Sequence, residues 1–468
     1  MAGPWQGPCM QALVIRSPFS GETLGELTLI ETPTALQMLA RAHRIAAESP
    51  LGAHKRVSVL RGAAERVASR SEELARLIAQ EGGKPLLDAR IEVTRAASGL
   101  HFLAGEVERL AGVEVPMGST QATEGRVAFT TMEPIGVVLA ISAFNHPLNL
   151  IVHQAGPAIA AGCPVIVKPA QETPLSCKAL LEIFVLAGLP EGFAQFLICD
   201  NTTTEILASD PRVAFVSFIG SAAVGWKLRQ RVAPGTRIAL EHGGAAPVIV
   251  DASADLDSAA ALVTKGGYYH AGQVCVSVQR VMVHQQVHEA FRDKLQAHVE
   301  ALVVGDPTDA KTAVGPLIRT RDVDRVENWV GEAVRGGARV VCGGGRLDHQ
   351  CFAATLLDAP RPDAKVLTEE VFGPVVSLVP VPDLEAAIVE ANRSRWSFQA
   401  AIFSQSLPAA LRAAKRLDAA AVMINDHTAF RADWMPFGGR RESGLGTGGL
   451  PYSVRDFCAP KLVVLKLS

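Results

Sequence analysis

Residues 134–170 read PIGVVLAISAFNHPLNLIVHQAGPAIAAGCPVIVKPA, with no acidic or basic side chain before Lys168. A charge-free run of this length invites comparison with a membrane span. It is broken, however, by Asn145-His146-Pro147, Asn149, His153, Pro157 and Pro164, which a spanning helix tolerates poorly. Two apolar stretches of strand length, Gly136 to Ile141 and Pro164 to Lys168, flank a helix-length stretch over 147–161. Strands that are apolar on both faces and separated by a helix belong to a parallel sheet covered on both sides.

The same alternation continues outward. A helix is expected over 174–187, a strand over 195–199, a helix over 202–209 and a strand over 214–219. After Glu241 a second series begins, with strands expected at 247–250, 278–284, 339–342, 375–381, 400–403 and 421–424. Its helices are expected at 255–267, 287–301, 323–336 and 384–393. Upstream, residues 34–110 read as helices, with Ala35, Leu36, Met38, Leu39 and Ala42 at helical spacing. Two β segments, 125–132 and 461–466, have no evident partner and are expected to pair with each other or across a subunit boundary. The expected class is α/β, with two parallel-sheet units in 468 residues.

Composition excludes several functions. The net charge of −2 and the absence of a basic block speak against nucleic acid and membrane surfaces. The eight cysteines form no CxxC and no metal-type cluster with His, which favours free thiols in a reducing compartment. The N-terminus lacks the basic and apolar regions of a secretory signal, so a cytoplasmic protein is expected.

Cys275, in Gly272-Gln273-Val274-Cys275, is the candidate nucleophile, and Glu241, beside the Gly243-Gly244 turn, the candidate base. An isolated cysteine is more often a small buried hydrophobe; the surrounding motifs change that balance. Lys168 ends a buried strand and would project toward a ribose or phosphate, or snorkel as an ordinary strand-end Lys. Gly220-Ser221 joins a strand to a helix whose N-terminus suits a pyrophosphate, although Ser221 would also serve as an ordinary cap. Asn145 follows a strand and offers a side-chain amide to an oxyanion, or a helix cap. Glu370, before a Gly-Pro turn, could accept from sugar hydroxyls. A literal GxGxxG at 444–449 follows no expected strand and is assigned to a loop, as is Gly343-Gly344-Gly345.

Taken in order, Asn145 in FNHP, Lys168 in VKPA, Gly220-Ser221 in FIGS, Glu241 in EHGG, Cys275 in GQVC, Glu370 in EEVFGPV and Phe437 in MPFGG resemble the aldehyde dehydrogenase superfamily. The resemblance runs from about residue 15 to the C-terminus. It implies a dinucleotide-binding domain (1–111 and 133–241), a catalytic domain (242–449) and an oligomerisation element (112–132 and 450–468), hence a homodimer or homotetramer. It also implies NAD or NADP as cofactor, held by Lys168, Gln171, Gly220, Ser221, Glu370 and Phe372. Cys275 would carry a thioester, Asn145 and the Cys275 N–H would hold the oxyanion, and Glu241 would activate water. The chain departs from the family pattern at His242 (usually Leu) and Thr447-Gly448 (usually Arg-Glu). Gln171 stands where NAD-specific members often carry Glu, with Glu172 beside it, so both dinucleotides stay open.

The positions that line the substrate tunnel in that family hold Arg95, His146, Asn149, His153, Tyr269 and Arg431 here. Two Arg and two His would make a cationic funnel for a small anionic aldehyde, of the semialdehyde, phosphonoacetaldehyde or sulfoacetaldehyde type. Structural ion pairs of the two arginines are the competing reading. An uncharged lactaldehyde or glycolaldehyde is the alternative substrate. A CoA-acylating semialdehyde dehydrogenase is the alternative class, disfavoured by Glu241. A non-catalytic protein on the same scaffold is disfavoured by the retained thiol and amide.

Overall fold

The computed structural model describes residues 12–467. The charge-free segment folds as its pattern predicts. Val137–Ile141 and Val165–Lys168 are adjacent parallel strands, buried at every residue, and Asn149–Ala161 is the helix between them. They belong to a six-stranded sheet ordered Gly444–Leu445, Arg237–Glu241, Val213–Ile219, Val137–Ile141, Val165–Lys168, Ala194–Phe196. Only the short Gly444–Leu445 edge runs antiparallel. The chain order reverses between Val137–Ile141 and Val213–Ile219, and at such a switch the loops leaving the strands diverge and open a crevice.

Helices cover both faces because both faces are apolar. Val59, Leu60, Leu100, Leu103 and Phe184 pack with Val138 and Val167 on one side; Leu39, Leu207 and Leu228 pack with Leu139 and Ile166 on the other. The predicted helical region is four helices: Thr32–Glu48, Ala53–Ser69, Ser71–Gly82 and Leu86–Arg109. The second sheet has seven strands, ordered Arg339–Cys342, Thr355–Asp358, Val375–Val381, Val278–His284, Ala246–Val250, Gln399–Phe403, Ala421–Ile424. All pairings in it are parallel except that of Arg339–Cys342. Arg126–Pro134 and Cys458–Lys466 do pair with each other, from Cys458 opposite Pro134 to Lys466 opposite Arg126.

Several elements differ from the sequence reading. The strand expected over 195–199 is Ala194–Phe196. Arg237–Glu241 and Thr355–Asp358 are strands that the pattern did not reveal, because each is short and has a charged residue at an end. The glycine run is not simply a loop. Gly444–Leu445 pairs with Glu241 and Leu240, and Gly449 caps the helix Leu450–Asp456. That helix buries Leu450 and Val454 in the core that also holds Val138 and Val167. Among the described residues no helix is long and apolar enough to cross a membrane. The cysteines from Cys163 onward are free thiols; Cys9 lies outside the described residues.

Candidate active site

Four strands of the first sheet end at the crevice, and each delivers one functional group. Asn145 follows Val137–Ile141, Lys168 ends Val165–Lys168, Gly220-Ser221 follows Val213–Ile219, and Glu241 ends Arg237–Glu241. The second sheet answers with loops that enter its strands: Cys275 precedes Val278–His284, and Glu370 and Phe372 precede Val375–Val381. The result is a cleft of about 1830 Å³, lined by every site residue singled out from the sequence.

Cys275 is held on a strained approach. His270, Ala271 and Gly272 have φ of 47°, 54° and 69°, three left-handed residues in succession. Gly272 is required there, since an added Cβ would overlap the Gly373 carbonyl. Gln273 anchors the turn: its Oε1 accepts from Ile318 N–H (3.0 Å) and its amide donates to the Pro316 carbonyl (3.2 Å). Thr428 Oγ1 donates to the Val276 carbonyl at 2.6 Å on the other side of the thiol. Asn145 is not a helix cap. Its Nδ2 donates to the Gln273 carbonyl at 2.8 Å, which orients the amide and leaves its second N–H to another acceptor. The Cys275 backbone N–H is directed at its own sulfur.

Glu241 is positioned by a strand end rather than by a flexible glycine turn. Its carbonyl accepts from Gly220 N–H at 3.0 Å, and its strand pairs with Gly444–Leu445. Gly448 leaves the room its carboxylate occupies, because an added Cβ would overlap Glu241 Oε1. The glycine run dismissed from the sequence therefore borders the candidate base. Burial pushes the Glu241 pKa up, against the pull of Arg431. Burial, then the charges of Glu241 and Glu370, push the Cys275 thiol up to about 12. Burial also raises Glu370 to about 7.

The cofactor side has the donors and acceptors that a dinucleotide needs. Lys168 is buried, its pKa lowered by that burial, and among the described residues its ammonium has neither an ion pair nor a hydrogen bond. Ser221 lines the cleft at the N-cap of Ala222–Arg229, and among the described residues its side chain makes no capping bond there. Glu370 Oε1 accepts from Gly244 N–H at 3.0 Å, while Oε2 has no such partner. Gln171 donates to the Cys199 carbonyl at 3.0 Å, and Glu172 is paired with Arg319 through Nε at 2.6 Å. These residues fit a bound dinucleotide.

The substrate side corrects the expected funnel. Asp433, missed from the sequence, accepts from Arg95 Nε (3.1 Å) and Nη2 (2.6 Å), His153 Nε2 (2.8 Å) and Asn149 Nδ2 (3.3 Å). Burial alone would raise its pKa; the hydrogen bonds from His153 and Arg95 and the charge of Arg95 outweigh that and hold it well below the carboxylate range. His153, with Nε2 donating to Asp433, accepts at Nδ1 from Arg431 Nη2 at 3.3 Å, so its ring is neutral. Its pKa is lowered to about 4, by burial and then by Arg431. Burial likewise lowers His146 well below its ordinary value, and its Nε2 lies 3.1 Å from the Tyr269 hydroxyl. The two histidines are therefore hydrogen-bonding groups, not cations. Arg431 stacks over Phe437 at 3.5 Å from the ring centre, and its Nη1 is buried without a partner. Its charge is felt by both Glu241 and Cys275.

Sequence reading also missed Glu92 and Lys84, a fully buried ion pair. Glu92 Oε1 accepts from the Leu148 and Asn149 N–H groups at 3.0 Å each, fixing the helix that carries Asn149 and His153. Only nearness in sequence could have flagged Asp433, two residues from Arg431 and at the start of a turn.

The model described as the aldehyde dehydrogenase family matches residues 5–463. The 3-sulfolactaldehyde dehydrogenase of Priestia aryabhattai is 37% identical over 466 residues, covering 99% of this chain and 97% of its own. Aldehyde dehydrogenase 21 from Physcomitrella patens, solved with the reaction product succinate, superposes with a TM-score of 0.94 at 31% identity, covering 98% of this chain and 96% of that one. The glyceraldehyde-3-phosphate dehydrogenase GapN of Methanocaldococcus jannaschii, solved with NADP, gives 0.93 at 32% identity, covering 97% and 99%.

Proposed function

This chain belongs to the aldehyde dehydrogenase family, an oxidoreductase using NAD or NADP, and from that premise we propose that it oxidises a short aldehyde with an anionic tail to the carboxylic acid. The observation that carries this reading is Arg431. One guanidinium nitrogen is buried without a partner, and the same charge is felt by Cys275 and Glu241. A tail bound there lies only a few atoms from the reacting carbon, which makes the aldehyde short.

The dinucleotide, when bound against Lys168, Ser221 and Glu370, supplies the two-electron acceptor. Cys275 begins as a thiol, because burial and two nearby carboxylates oppose its ionisation. Its proton leaves to solvent as the sulfur adds to the aldehyde carbon, and the charge of Arg431 favours the anion that forms. The second N–H of Asn145 and the Cys275 backbone N–H hold the oxygen as it becomes negative. Once the carbon is oxidised, the acyl group stands on Cys275 as a thioester. Glu241, as its carboxylate, draws a proton from water, and the resulting hydroxide frees the acid.

Similarity to a 3-sulfolactaldehyde dehydrogenase and to an enzyme solved with succinate supports a sulfonate or carboxylate tail. The exposed Phe129, Leu462 and Val464 on the paired strands Arg126–Pro134 and Cys458–Lys466 support an oligomerisation element in residues 112–132 and 450–468. The free thiols support a cytoplasmic setting.

The test is reduction of NAD and of NADP across an aldehyde panel, with and without CoA. Acid formation without CoA is expected. Arg431→Ala should raise KM for succinate semialdehyde by about 10- to 100-fold while leaving that for propanal within about twofold. Equal effects on both aldehydes would remove the anion site.

A further inference from the structure

We infer that Asp433 sets the tail site to a single net positive charge, so that the enzyme selects aldehydes with a singly charged tail over those with a doubly charged one. This rests on the anionic-tail reading above and narrows it.

Two guanidiniums, Arg95 and Arg431, face the tail from opposite elements, the helix Leu86–Arg109 and the loop 425–439. Asp433 lies behind them. It grips Arg95 by Nε and Nη2, stands 3.9 Å from Arg431 Nε, and fixes the His153 ring so that Nδ1 accepts from Arg431 Nη2. Each arginine is thereby turned to leave Nη1 uncommitted. The carboxylate orients both donors and cancels one of their charges. Since His153 is neutral by its bonding pattern, two cations stand against one anion.

The remaining ionisable groups of this wall offset one another: Lys84 is paired with Glu92, and Lys265 faces Asp88. Glu241 faces Arg431 from the reaction end, outside the tail site, where its charge further disfavours a second negative charge on the tail. A carboxylate or sulfonate is matched by this balance. A phosphonate or phosphate dianion would carry an uncompensated charge into a partly dehydrated pocket. Asp433 is thus a positioning and specificity-determining residue; it touches the arginines, not the substrate.

Sulfoacetaldehyde and phosphonoacetaldehyde are near-isosteric probes that differ in charge at about pH 9, where the phosphonate is a dianion. The wild type should favour the sulfonate by about tenfold or more in kcat/KM, through KM. Asp433→Asn should shrink or invert that ratio while raising KM for both, since orientation is also lost. A merely structural role would lower activity toward the two probes alike. If wild type handles the phosphonate as well as the sulfonate, or Asp433→Asn leaves the ratio unchanged, the inference is overturned. Should Asp433→Asn not fold, the wild-type ratio alone decides. If propanal matches both anions, the anionic-tail reading itself has failed; if both anions surpass propanal but the ratio is absent, only this inference has.

Discussion

The two ends of the cleft treat buried charge in opposite ways. At the reaction end, burial prevails: Cys275 is raised to about 12, Glu370 to about 7, and Glu241 upward. At the tail end Asp433 is also buried, yet its pKa falls, because Arg95 and His153 donate to it directly. The difference lies in hydrogen bonds. A carboxylate given a charged donor stays ionised in the interior; one with only Coulombic neighbours, or a single neutral donor, drifts toward neutrality. The first arrangement suits a fixed receptor, the second a site where protons must move.

Each end can be challenged separately. The largest effect is expected for Cys275→Ser, which should lower nucleotide reduction on the order of 10^4-fold without changing the melting temperature much. Undiminished turnover would dismantle the account of the reaction end. Glu241→Gln should cut steady-state turnover by about 10^2- to 10^4-fold while keeping a first burst of reduced nucleotide, seen by stopped flow. Loss of the burst would instead place Glu241 in the acylation half. For Asn145→Ala a fall in kcat of about 10^2- to 10^3-fold is expected, with KM little changed.

The subtlest experiment reads both ends through one sulfur. At pH 8 the unliganded thiol is far below its pKa of about 12, so its alkylation rate should rise with pH without a plateau up to about pH 10. Removing a negative neighbour favours the thiolate, so Glu241→Gln should alkylate several-fold faster. Removing a positive one disfavours it, so Arg431→Gln should alkylate several-fold more slowly. Shifts of the same sign in both variants would contradict the proposed electrostatics.

The reaction end was legible because its residues sit at junctions that local pattern marks. Asn145, Lys168 and Ser221 each follow an apolar strand, and Cys275 precedes a β-branched one. The tail end was legible only in its cations. Asp433 lies 338 residues from Arg95 and 280 from His153 along the chain, so nothing local announced that it would cancel one charge and fix one tautomer. The glycine run at 444–449 was misread for a similar reason: its strand partner is Glu241, about 200 residues upstream.

Local hydrophobic period, a short-range property, determined the α/β class from the sequence alone, and strand-end chemistry put forward the candidates for nucleophile, base and amide. Tertiary structure decided the directions in which Asp433, Cys275, Glu241 and Glu370 are shifted. Those depend on burial and on donors brought together from distant segments, and the electrostatic work of packing them is absent from any single stretch of chain.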